Sequence, residues 1–108
     1  MDELFIKVQG LIKAGDVLIS EHGYDELIED NLSVRELLDG VINGAVVERY
    51  TDYPKGPCLL LLQQDKFGNP VHVVWGIPKE SGKPVVLVTA YRPDPKRWDE
   101  NFLRRRKK

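Results

Sequence analysis

The chain has 108 residues, of which 42% are apolar and 31% charged. That suffices for one core and one domain, here expected over residues 1–102, and is too apolar for a disordered chain. The longest apolar run, Cys58 to Leu62, falls far short of the roughly 18 residues of a membrane helix. The net charge of -1 hides a gradient. Residues 1–53 carry four basic groups against twelve acidic ones, residues 54–91 four against two, and residues 92–108 eight against three. Met1-Asp2-Glu3-Leu4 has no basic secretory n-region, and the single cysteine, Cys58, excludes an intramolecular disulfide. A cytoplasmic protein without a membrane partner is the expectation.

Leu4, Phe5, Val8, Leu11 and Ile12 recur at helical spacing and predict a first helix over residues 2–14, with Gly15 as its stop. Asp16 to Ser20 reads as a strand or a connector. Ser20 can cap a second helix over residues 21–31, with Tyr24, Leu27 and Ile28 as its stripe. Ser33 and Glu36 form a capping box ahead of a third helix over residues 33–43, for which Asn43-Gly44 offers a left-handed exit.

From Ala45 the apolar period shortens to that of strands. Four are predicted, over residues 45–53, 58–65, 71–78 and 84–91, joined by turns such as Lys66-Phe67-Gly68-Asn69-Pro70. Val71, Val73, Trp75 and Ile77 share one strand face, and His72 points to the other, read as an exposed one. Trp98 and Phe102 pin a terminal segment, and residues 103–108 read as a disordered basic tail. Helices first and hairpins afterwards give an α+β fold: N-terminal helices packed on a four-stranded antiparallel sheet.

Metal binding is not expected. The two histidines lie fifty positions apart, and no Cys or His pair has zinc-site spacing. The turn from Glu21 to Glu26 offers carboxylates and His22, but reads as a solvated face. Nothing in the Cys58 run would generate a thiolate, no glycine-rich loop cradles phosphate, and no cofactor is implied.

Ser20-Glu21-His22-Gly23, the helix from Ser33 to Ile42, Asn43-Gly44-Ala45-Val46-Val47-Glu48-Arg49-Tyr50 and Val88-Thr89-Ala90-Tyr91-Arg92-Pro93 together resemble a microbial family, the domain-of-unknown-function family four-two-five-eight. The resemblance covers roughly residues 18–98. It implies similarity to the small ribonuclease toxins of the RelE and barnase-like group. The implied activity is metal-independent RNA cleavage by attack of a 2′-hydroxyl on the adjacent phosphate, with RNA and a protein antitoxin as partners and no evident DNA specificity. Glu26 stands where many members carry an arginine.

Such chemistry needs proton-transfer groups and cations for the phosphorane. His22, a histidine that opens a helix, is the candidate acid or base. Arg49, Tyr91 and Arg92 complete the expected catalytic set, and Tyr50, Lys55 and Thr89 the RNA-binding set. The expected function is thus that of a toxin-like endoribonuclease or RNA-binding protein, and the alternative is a non-catalytic relative acting through protein contacts.

Overall fold

The computed structural model describes residues 2–107. In chain order it contains α1 (Glu3–Lys13), β1 (Val17–Ile19), α2 (Glu21–Glu29), α3 (Val34–Gly40), a 3-10 turn (Val41–Asn43), β2 (Ala45–Tyr50), β3 (Cys58–Gln64), β4 (Pro70–Gly76) and β5 (Val85–Tyr91). The α+β class holds.

Each helix start has a chemical cause. Asp2, Ser20 and Ser33 accept backbone N–H groups of α1, α2 and α3 respectively. The Ser33/Glu36 capping box is formed in both directions. Helix α1 ends in a Schellman motif: Asp16 N–H bonds Leu11 C=O, Gly15 N–H bonds Ile12 C=O, and Gly15 has φ +76°. Helix α2 ends the same way, through Leu32 to Leu27 and Asn31 to Ile28, with Asn31 at φ 54°. The exit expected at Gly44 is not left-handed. Its φ is -69°, because the 3-10 turn tightens the end of α3 and its N–H caps Val41 C=O instead.

The sheet departs from the four-stranded antiparallel expectation. It has five strands in the order β1-β5-β4-β3-β2 and is mixed. The segment left open as strand or connector is β1, which lies parallel to β5, with Leu18 opposite Val86. A parallel neighbour requires a long crossover between β1 and β5, and here the helices and the meander supply it.

One face of the sheet meets the helices. Leu59, Leu61, Val71, Val73, Trp75, Leu87 and Ala90 pack there with Val8, Leu27, Leu37 and Val41. Trp75 is fully buried, and its indole N–H donates to Gln63, whose amide donates to Leu37 C=O. Gly23 lets α2 lie against β5, since a Cβ there would stand 2.8 Å from Leu87 O.

Two β-bulges fix what the opposite face carries. In β2, Val46 pairs with Leu61 and Glu48 with Leu60, so Val47 is the extra residue. In β5, Thr89 pairs with Val74 and Leu87 with Trp75, so Val88 is the extra one. Each extra residue inverts the alternation beyond it. Without them, Glu48 and Tyr50 would share the helix-side face of Val46, and Thr89 and Tyr91 that of Leu87. With them, all four turn to the face without helices.

The terminal segment lies on that face. Trp98 is 3% exposed and Trp98 bridges to Arg105. Arg106 N–H donates to Arg97 C=O, and its side chain donates to Pro95 C=O. Leu103 to Arg106 are therefore bonded within this segment, and Arg105 to Glu48 of β2, where a free basic tail was expected. The physical reason is that Arg105 finds both a carboxylate and an indole face.

Candidate functional site

The face left bare by the helices carries aligned rows of residues. Glu48, Leu60, Val74 and Thr89 form one row, and Leu62, His72 and Tyr91 the next. Over them lies the terminal segment.

Arg105 grips Glu48 through two bonds, Nε to Oε2 at 2.8 Å and Nη2 to Oε1 at 3.0 Å. The Tyr50 hydroxyl donates to the same carboxylate. The Arg105 guanidinium also lies 4.8 Å over the Trp98 ring. Hydrogen bonding to Arg105 holds the Glu48 carboxyl below its ordinary value, against the opposing effect of burial. Burial, followed by the adjoining carboxylate, pushes the Tyr50 phenol up to about 12. The group is thus a carboxylate, a phenol and a guanidinium, all in fixed protonation states at neutral pH.

His72 is fully buried, contrary to the expected exposed strand face, because Trp98 covers it edge-on at 4.4 Å between ring centroids. Its Nε2 lies 2.8 Å from Phe102 O, which can only accept, so Nε2 carries the proton. Nδ1 then accepts from the Tyr91 hydroxyl at 3.1 Å. Burial lowers the His72 pKa, opposed by the Phe102 carbonyl and by Glu48. Burial raises that of Tyr91. A neutral imidazole with its free lone pair turned to a phenol is a base that can work through that phenol.

The expected site residues divide. Tyr50, Thr89 and Tyr91 share the bare face, Tyr50 on β2 and the other two on β5, three strand spacings away. Lys55 stands one loop away, at the rim of a groove in the same face. His22 does not join them. It lies on α2, on the helix-covered side, 68% exposed and 3.5 Å from Glu26. Arg49 lies on β2 and pairs with Asp2 at the start of α1. Three strand spacings, about 14 Å, separate β2 from the β5 strand under α2. His22 and Arg49 therefore belong to no common site.

Arg92 is likewise engaged elsewhere. Its side chain donates to Asp65 at 2.9 Å, and its backbone N–H to Asp30. Burial works to raise the Asp65 pKa, but bonds from Asn69 N–H, Arg92 and Phe67 N–H outweigh it and leave the carboxyl at about 2. Asp65 thus organises the turn between β3 and β4, and Arg92 ties the end of β5 to that turn.

Sequence reasoning did not single out Glu48, His72 and Arg105 as members of one site. The signal available was the pair Glu48 and Tyr50, two apart on a strand. Among the described residues no three His, Cys, Asp or Glu side chains converge as a metal-binding group. No described helix is long and apolar enough to cross a membrane.

No curated protein and no solved structure matches the chain. A family model matches residues 19–92, a span that contains Glu48, Tyr50, His72, Thr89 and Tyr91 and stops short of Arg105. The chain belongs to the family described as Domain of unknown function (DUF4258).

Proposed function

We propose that this chain is a toxin-like, metal-independent endoribonuclease whose reacting groups stand on the bare sheet face. The observation that carries the reading is the Tyr91–His72 pair, a phenol hydrogen-bonded to the unprotonated nitrogen of a neutral buried histidine. The similarity to RelE and barnase-like toxins, with a cytoplasmic RNA substrate and a protein antitoxin as partners, is part of the same reading.

In the proposed step, a substrate 2′-oxygen bonds to the neighbouring phosphorus and the bond from phosphorus to the 5′-oxygen breaks. The 2′-hydroxyl proton passes to the Tyr91 oxygen while the Tyr91 proton passes to His72 Nδ1. The leaving 5′-oxygen takes a proton from solvent. Arg105 stabilises the phosphorane charge. Glu48, held by Tyr50, positions Arg105 and offsets the imidazolium that forms. Thr89, two residues before Tyr91 on the same face of β5, adds a hydroxyl on the Tyr91 side of the phosphate.

The test is degradation of single-stranded RNA by purified protein in EDTA. Tyr91→Phe removes the relay proton and keeps the ring, so cleavage should fall by about 100-fold or more, at the scale of general-base catalysis. His22→Ala should cleave as wild type does. Loss of cleavage in His22→Ala alone would move the site to α2.

A second reading is that of a non-catalytic relative acting through protein contacts. Arg105 already neutralises Glu48, and Trp98 shields His72. Absence of cleavage by wild type, with an intact fold, would favour this reading.

A further inference from the structure

Next to the polar groups the same face opens into a groove of about 340 Å³. Its floor is the middle of one cross-strand row, Val86, Gly76 and Cys58, which Tyr50 continues on β2. Gly76 leaves the middle of the row without a side chain, where a Cβ would stand 3.2 Å from Val88 and 3.3 Å from Cys58. One wall is the exposed ring of Tyr53, which stacks on Tyr50 with centroids 5.3 Å apart and planes 4° from parallel. Lys55 stands at the rim.

We infer that this groove is a nucleobase subsite for single-stranded RNA, a deepening that rests on the ribonuclease reading above. Three features select a base over other flat or apolar groups. The Tyr50–Tyr53 stack ends in an exposed aromatic ring that a base can extend. The groove row and the row that carries Glu48 are two residues apart along the strands, about 7 Å, so a base in the groove sends its own sugar and phosphate toward the row over which Arg105 lies. Lys55 supplies a cation for the phosphate on the other side of that base. The lining carries almost no hydrogen-bonding group, so the subsite holds a base by its faces and does not read its edges.

The test uses a short 2′-O-methyl RNA, which lacks the attacking hydroxyl, so that binding is measured apart from cleavage. Fluorescence anisotropy gives its Kd with wild type, Tyr53→Ala, Tyr53→Trp and Val86→Trp. Tyr53→Ala should weaken binding about 5- to 100-fold, the worth of one base on an aromatic ring, and Tyr53→Trp should preserve it. Val86→Trp, which fills the groove, should weaken binding as Tyr53→Ala does. With an oligomer made abasic at every position, wild type and Tyr53→Ala should bind equally. Tyr53-dependent binding without any cleavage of ordinary RNA would leave the subsite standing and remove the ribonuclease reading. Equal affinities of wild type, Tyr53→Ala and Val86→Trp, or binding of an apolar peptide but no RNA, would overturn the subsite.

Discussion

His72 shows how a single residue's surroundings decide its chemistry. On an exposed strand it would be an ordinary histidine with an ordinary value of 6.5, which burial lowers here. The folded chain resists protonation there, while the unfolded chain accepts a proton as soon as the pH falls through that value. The stability contribution is therefore present above pH 6.5 and is lost as pH falls from 6.5 toward the depressed folded value. Urea titrations across pH 5–7 should show stability declining toward pH 5, and His72→Asn should flatten that decline. Asp65 behaves similarly at lower pH. Its contribution is present above its ordinary value of 3.8 and is lost as pH falls toward about 2. Ser20 joins two functions in one hydroxyl: it accepts from Gly23 N–H at the start of α2 and donates to Val88 C=O at the bulge. Ser20→Ala should cost about 0.5–2 kcal/mol in chemical denaturation, the usual cost of losing a cap. It should also speed hydrogen exchange at the Val88 bulge.

At the scale of elements, the capping box of α3 was legible because Ser33 and Glu36 interact only with near neighbours in sequence. Ser33→Ala should lower stability by about 0.5–2 kcal/mol in thermal or urea melts. The strands were legible as strands, but their faces were not. Alternation read from Val46 or Val85 predicts the wrong face for Glu48, Tyr50, Thr89 and Tyr91, because one inserted residue in each strand reverses it. The parallel pairing of β1 was hidden too, since three residues carry too little pattern to declare a partner sixty-eight positions away. The terminal segment was half legible. Trp98 and Phe102 read as anchors, but a run of basic residues gives no sign that Arg105 meets Glu48 across 57 positions. Trp98→Ala removes the cover from His72 and should destabilise by about 3–5 kcal/mol, as buried Trp truncations do.

At the scale of the whole molecule, charge and topology place acid and base apart. The acidic first half forms the helices, and the basic end crosses the bare face of the sheet. On the proposed ribonuclease reading, phosphate would meet the sheet face and not α2, where Glu21, Asp25, Glu26 and Glu29 would repel it. RNA affinity should fall steeply with salt, and deleting residues 103–108 should flatten that slope through loss of five cations. The expectation that His22 is the acting histidine came from its position at a helix start. The structure instead surrounds the other histidine with a phenol, a carbonyl and an indole. The most direct measurement is cleavage of single-stranded RNA in EDTA by wild type, Tyr91→Phe and His22→Ala, each checked for an unchanged fold by circular dichroism. Wild type and His22→Ala should cleave, and Tyr91→Phe about 100-fold less. Full activity in Tyr91→Phe, or activity lost only in His22→Ala, would contradict the Tyr91–His72 relay.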